Sequence, residues 1–171
     1  LGLRRTTDEF TSKQNNFISI LMPAPVVAAQ TCDREVVTEY SSTTSRAVIQ
    51  HDLTSGSNVY ASLSEGFKAG GYATYECTEP YDPEEVTSLE FGYKGSLGEN
   101  TSLNASLFRY DYTDFQVLQV VGIQTVTRNA GDATVNGLEL EALSNLNDSL
   151  SMSYGLTLLD ATYGEFLNTN G

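Results

Sequence analysis

Residues 58–72 read NVYASLSEGFKAGGY, and the spacing of their apolar positions decides the fold. Val59, Ala61, Leu63, Phe67 and Ala69 share one parity, while Ser62, Ser64 and Lys68 share the other. A period of two is the mark of a strand with one apolar and one polar face. Glu65 interrupts the apolar set beside Gly66, and a bulge there is expected to move the charge off that face. The run from Val59 to Gly71 exceeds the roughly 5–6 residues of an ordinary soluble strand and reaches the roughly 9–11 that cross a bilayer at a tilt. A second stretch, residues 129–141, reads NAGDATVNGLELE and is likewise glycine-marked and polar on one face.

Further along the chain the same pattern recurs. Leu150, Met152, Tyr154, Leu156 and Leu158 alternate with Ser149, Ser151, Ser153, Gly155 and Thr157, and Leu89, Phe91 and Tyr93 alternate with Glu90, Gly92 and Lys94. One face of such strands can meet lipid and the other a wet interior. Parity changes partway along two segments. Leu103, Ala105 and Leu107 give way to Phe108, Tyr110 and Tyr112, and Ala133 and Val135 give way to Leu138 and Leu140 across Gly137. Bulges, or points where the strand leaves the membrane, account for both. The lipid-facing parity of 108–115 and 133–140 is therefore open at this level. Tyr60, Tyr72, Tyr93, Tyr110, Tyr112, Tyr154 and Tyr163 sit mostly near strand ends, where interfacial aromatic girdles form.

Short polar turns are expected at Thr54-Ser55-Gly56-Ser57, Gly98-Glu99-Asn100 and Asn147-Asp148, each with the Gly, Asn or Asp that tight turns need. Their starts are 44 and 49 residues apart, the span of two strands and one longer loop. The longer connections fall at about 14–41, 73–85 and 121–125. Short turns at one rim and longer loops at the other are the habit of outer-membrane barrels. No stretch qualifies as a membrane helix, since the best run, 17–29, is broken by Ser19, Pro23 and Pro25. That run reads as a loop, either disordered or folded into a barrel mouth.

At these residues the chain resembles the β-barrel of TonB-dependent outer-membrane receptors. Gly66, Phe67, Lys68, Gly70 and Gly71 are similar to the end of one of that family's strands. Pro83-Glu84-Glu85 with Leu89-Glu90-Phe91-Gly92-Tyr93-Lys94 resembles its next descending strand. Phe108, Tyr110, Asp111 and Tyr112 with Phe115-Gln116-Val117 resemble the following ascending strand. Asn129-Ala130-Gly131 with Asn136-Gly137-Leu138-Glu139 resembles the one after, and Gly2-Leu3-Arg4 an earlier one.

The resemblance implies a receptor in the outer membrane of a Gram-negative bacterium. It would take up a scarce nutrient, such as a ferric siderophore, cobalamin or an oligosaccharide, with energy passed through TonB and a plug. Its partners would be outer-membrane lipid, the nutrient ligand and the TonB complex. A passive porin-like channel and a soluble all-β binding or adhesion domain are the competing readings. The expected fold is all-β: an antiparallel, up-and-down transmembrane β-barrel fragment of about seven strands, an open curved sheet as an isolated chain. Residues 1–171 are expected to be part of the barrel, without the plug, a signal peptide or the closing strand.

The charge is strongly acidic, 22 Asp and Glu against 9 Lys and Arg for a net of −13, which disfavours nucleic acid as a partner. Glu76, Glu79, Asp82, Glu84 and Glu85 gather in one connection, and their spacing matches no calcium loop, so a solvated loop is the favoured reading. Cys32 and Cys77 fall in connections assigned to the same rim and are expected to form a disulfide across 44 intervening residues, the alternative being two unpaired thiols. Two cysteines alone do not make a metal site. His51 is the only histidine and lies near a strand end. Serine is abundant, yet no Gly-x-Ser-x-Gly elbow occurs, so no catalytic residue, enzymatic activity or cofactor is expected. Arg109, Asp111, Asp114 and Arg128 are expected to form ion pairs inside the barrel.

Overall fold

The structure is a computed structural model, and it describes residues 1–19, 28–54, 56–72, 80–121 and 124–164. These form β1 (Gly2–Ser19), β2 (Ala28–Thr54), β3 (Ser57–Lys68), β4 (Glu84–Ser96), β5 (Thr101–Thr113), β6 (Gln116–Val121), β7 (Gln124–Asn129), β8 (Ala133–Asn147) and β9 (Leu150–Tyr163). Seven of them make one open antiparallel sheet in the order β1-β2-β3-β4-β5-β8-β9. The remaining two, β6 and β7, pair only with each other.

All three expected tight turns are present. Gly56 and Gly98 have φ of 90° and 75°, in the left-handed region that glycine enters without steric cost. At the third, the Ser149 amide donates to Asn147 Oδ1 at 2.9 Å, so the Asn side chain organises the turn.

At the opposite rim the chain departs from the expected long loop at 14–41. Backbone pairing continues on both arms until Ser19 meets Ala28. Val36, Val37, Thr38 and Tyr40 are good strand formers, and continued pairing satisfies backbone groups that a loop would leave to water. Strand β2 engages β3 only from Arg46 to Thr54, so the β1–β2 ribbon rises above the sheet. Of the 17–29 segment, residues 20–27 lie outside the described residues.

The β6–β7 ribbon prolongs the β5–β8 hairpin past a kink. Thr113 ends β5, and Asp114 turns with φ of 53°. Pairing then resumes as the Phe115 amide donates to the Gly131 carbonyl and the Ala130 amide to the Phe115 carbonyl, both at 2.8 Å.

The register sorts every residue to one of two faces. One cross-strand row runs Ile49, Ala61, Phe91, Leu107, Leu138, Leu158, apolar across six strands. The row toward the short turns runs His51, Val59, Tyr93, Ala105, Leu140, Leu156. On the other face the corresponding row reads Gln50, Tyr60, Gly92, Ser106, Glu139, Thr157. Along the middle of β3, β4 and β5 exposure is inverted relative to a soluble protein. Phe91 is 53% exposed and Leu107 59%, whereas Ser62 is 8% exposed and Glu90 is half-buried. A sandwich would hide its apolar face beneath a second layer. Here Leu150, Met152, Leu156 and Leu158 all stand exposed.

The apolar belt crosses the rows obliquely. One row above the first, Ala47, Leu63 and Leu89 are apolar but Arg109, Asn136 and Asp160 are not. Two rows below it, Gly95 precedes Leu103, Ala142 and Tyr154. Strands tilted against a flat slab produce this drift, because hydrogen-bonded rows are perpendicular to the strands and not to the slab normal.

The bulge expected at Glu65 is absent, and of the two alternatives left open at the parity changes of 103–112 and 133–140, the bulge is not the one taken. Register is unbroken through Glu65 and Gly66, through Leu107 and Phe108, and through Gly137. Glu65 stays on the outward face, where its carboxylate accepts from the Ser45 amide and hydroxyl, both at 2.9 Å. It caps β2 just where β2 parts from β3. At 103–112 and 133–140 the parity is constant. Only the polarity of each face changes, because the outward side leaves the belt at Arg109 and Asn136 while aromatics begin on the inward side.

Candidate functional site

The register turns most of the tyrosines inward. Tyr60, Tyr110, Tyr112 and Tyr163 share the polar face, and only Tyr93 and Tyr154 of the expected girdle lie on the apolar one. Tyr72 is buried at the upper rim. The alternation alone could not assign these rings, since a girdle and an inner wall use the same residue type.

Two inward rings lie on glycines. Tyr60 covers its cross-strand partner Gly92, where an added Cβ would come within 2.3 Å of the ring, and Phe108 covers Gly137, where the distance would be 2.2 Å. The Tyr60 hydroxyl donates to Glu90, and Lys94 Nζ sits 5.3 Å from the Tyr60 ring centroid. Beside them Asn104, Glu139 and Glu141 complete a polar hollow of about 200 Å³. Phe108 stacks on Tyr110 at 4.8 Å between centroids, and Tyr112 meets Phe115 edge-on at 5.4 Å. A larger hollow of about 580 Å³ lies mostly on the outward face over Ala61 and Ala105, framed by Ile49, Phe91, Leu107 and Leu138. Its lining carries little polar chemistry and suits acyl chains better than a polar ligand.

At the upper rim, two amide side chains tie the β3–β4 connection to the β5–β8 hairpin. Gln116 Nε2 donates to the Ala69 and Asp82 carbonyls at 3.0 Å each. Asn129 Oδ1 accepts from the Asp82 amide at 2.7 Å, while its Nδ2 donates to the carbonyls of Asp82 at 3.0 Å and Asp114 at 2.7 Å. The Gln116 amide donates to Glu84 at 2.8 Å, and Glu84 faces Lys68 across the strands at 4.0 Å. Gly71 and Tyr81 exchange backbone hydrogen bonds at 3.1 and 2.8 Å, closing the base of the connection. The Thr38 hydroxyl donates to the Tyr72 hydroxyl at 3.0 Å and the Tyr40 hydroxyl to the Tyr81 carbonyl at 3.3 Å, which docks the β1–β2 ribbon on the same rim. Burial lifts the Tyr40 phenol above its ordinary pKa, with Tyr72, Asp82 and Tyr81 adding to it, so it remains a donor. The glutamine of FQV, the asparagine of NAG and the glutamate of PEE thus form one clamp. Nothing local in the sequence marks this role, because all but one of their partners lie 32 to 47 positions away and the nearest, Asp114 for Asn129, lies 15 away. Replacing Gln116 with Ala should raise hydrogen exchange in the flanking segments 69–72 and 80–83, with a loss of about 1–3 kcal/mol of local stability for the donor removed.

The other anticipated residues scatter. Arg109 pairs with Asp111 at 2.8 Å, but on the outward face above the belt and not inside the barrel, because odd-numbered residues of β5 share the parity of Leu107. The guanidinium, then the Thr134 hydroxyl, hold the Asp111 carboxyl below its ordinary range. Asp114 contributes its carbonyl to the rim clamp. Asp82 and Glu84 of the acidic connection serve that clamp, while Glu76 and Glu79 lie outside the described residues. Among the described residues no group of His, Cys, Asp and Glu is arranged to hold a metal. His51 faces outward opposite Val59. Cys32 lies on β2 opposite Asn16, its side chain outside the described set together with all of Cys77.

All 171 residues match the family model described as TonB dependent receptor-like, beta-barrel. The chain belongs to the TonB-dependent receptor family. No curated protein sequence matches it. Among solved structures, the ferric yersiniabactin uptake receptor FyuA from Yersinia pestis is similar over 98% of this chain and 24% of its own, with a TM-score of 0.71 and 20% identity. The copper transporter OprC aligns over 94% of this chain and 26% of its own, with a TM-score of 0.66 and 20% identity. The alcaligin outer-membrane receptor FauA from Bordetella pertussis covers 98% and 29%, with a TM-score of 0.53 and 20% identity. The chain therefore spans about a quarter of the length of these proteins. At that identity the likeness carries the fold. In a TonB-dependent receptor barrel the concave, polar face lines the lumen, and the inward tyrosines and glutamates belong to that wall.

Proposed function

We propose that this chain forms part of the wall of an outer-membrane receptor that takes up a scarce nutrient with energy delivered through TonB. The observation that carries the reading is the sorting of the sheet into one apolar and one polar face, with the apolar side chains of β3, β4 and β5 the exposed ones. It supports placement in the outer membrane of a Gram-negative bacterium, where paired strands leave no backbone group unsatisfied in hydrocarbon. Residues 1–171 then supply barrel wall, and a plug filling the lumen comes from a part of the receptor outside them. Ferric siderophores, cobalamin and oligosaccharides are the candidate nutrients. Neighbours named for ferric yersiniabactin and for copper favour a metal-bearing one.

The test is accumulation of radiolabelled candidate nutrients by cells carrying the complete receptor, with and without TonB. Uptake above the external concentration that vanishes without TonB is expected. Equilibrating uptake that persists without TonB would point to the passive channel instead, and recovery of the protein in detergent-free buffer would favour the soluble domain.

The rim geometry also supports a disulfide between Cys32 and Cys77. Thr38, six residues after Cys32, bonds to Tyr72, five residues before Cys77, so chain segments of similar reach lead from one contact to both sulfurs. Peptide mapping of the complete receptor without reductant should recover the two cysteines in one linked peptide. Their removal is expected to cost about 3–4 kcal/mol by the loop-entropy relation.

A further inference from the structure

A hollow of about 480 Å³ opens on the outward face where the apolar belt ends, on the side away from the short turns. Its lower wall is the belt row Phe91, Leu107, Leu138 and Leu158. Its upper lip is the next outward row, Arg109, Asn136 and Asp160. Arg109 reaches along β5 to Asp111, two residues further on, donating from Nε and Nη2 at 2.8 Å each. The Thr134 hydroxyl of β8 donates to the same carboxylate at 2.9 Å. These bonds draw the guanidinium up to the lip and fix its plane, with Nη1 unbonded among the described residues.

The two ends of the hollow differ in chemistry. The lower wall presents only hydrocarbon side chains, continuous with the belt, and so favours an acyl chain. The lip presents a guanidinium already held in place, the group best matched to a phosphate. A bare anion is still poorly received there, because the chain carries a net charge of −13 and Asp111 and Asp160 flank the arginine. Asp160 lies two strand steps from Arg109, about 10 Å at the usual interstrand spacing. A phosphate that brings a divalent counterion satisfies both, its oxygens meeting Arg109 and the hard cation meeting the Asp160 carboxylate. Free phosphate lacks the chain that the lower wall favours, and an uncharged lipid lacks the group that the lip favours.

We propose that this hollow seats one phosphorylated glycolipid of the outer leaflet, a lipid A, with an acyl chain against Leu107, Leu138 and Leu158 and a phosphate on Arg109. This assignment rests on the receptor reading above, in which the side away from the short turns is the outer leaflet, and it names a lipid partner of the wall distinct from the transported nutrient.

The test uses the complete receptor, purified in detergent with magnesium present, and native mass spectrometry to measure bound lipid. The probes are bisphosphorylated lipid A and the same lipid with both phosphates removed. The phosphorylated form is expected to bind at least tenfold more tightly. Arg109→Gln should weaken it about tenfold and Arg109→Lys, which keeps the charge, less than threefold. Leu158→Trp, which fills the hollow from its wall, should also weaken it about tenfold. Heat-modifiable electrophoretic migration confirms that each variant has folded. Equal affinity for the two probes, or binding indifferent to Arg109→Gln or to Leu158→Trp in folded variants, overturns the proposal. TonB-dependent uptake by the unaltered receptor would then leave the receptor reading standing, whereas loss of all such uptake would remove both.

Discussion

Leu107→Lys should strip the barrel of about 2–4 kcal/mol, the cost of a cation near the middle of the hydrocarbon, while Ser106→Lys next to it should stay within about 0.5 kcal/mol. The two residues are adjacent on β5 and differ only in face. Leu107 lies in the apolar row between Phe91 and Leu138, whereas Ser106 pairs with Gly92 and Glu139 in the lumen. Urea titration of the complete receptor in lipid vesicles, read by electrophoretic mobility without boiling, gives the comparison directly. Equal losses, or a greater loss at Ser106, would mean that the faces are reversed and that the apolar belt does not meet lipid.

Gly92→Val is the second large effect, at about 1–3 kcal/mol from overpacking. A Cβ at this position meets the Tyr60 ring, and the ring cannot swing aside without giving up its bond to Glu90 and its contact with Lys94. The strain is therefore shared by the pair. In the double variant with Tyr60→Ala, part of the loss should return, a departure from additivity expected only of residues in contact. Gly155→Val supplies the control, because there the nearest atom to an added Cβ is the Leu140 carbonyl at 3.7 Å, an ordinary contact. If Gly92→Val and Gly155→Val cost the same, the glycine at 92 is not held by the ring above it.

Much of the fold is written in local signals. The turns at 54–57, 98–100 and 147–148 depend on Gly, Asn and Asp at the bend itself, so reading them needs no knowledge of the rest of the chain. The strands from 58 to 68 and 150 to 158 likewise show their two faces in their own period. The bulge expected at Glu65 is absent, and at Phe108 and Gly137, where the sequence left a bulge and a strand exit both open, the register runs on without a bulge. A strand that emerges from lipid changes the polarity of its outward face while its parity runs on, and one strand read alone cannot distinguish that from a slip in register. Glu65 is tolerated on the apolar parity because Ser45 of another strand supplies its hydrogen bonds.

The rim clamp was hidden for the same cause. Gln116 and Asn129 look like polar residues at strand ends until the fold brings Ala69, Asp82 and Asp114 within reach.

What the sequence by itself determined is the alternation, the short turns and the family, since each resides in neighbouring residues or in the order of short motifs. Only the tertiary structure decided that the β5 aromatics share the polar face with Glu90 and Glu139, and that two amides lock the rim. Each of those depends on register between strands far apart in the chain, and register is a property of pairs that no single strand carries.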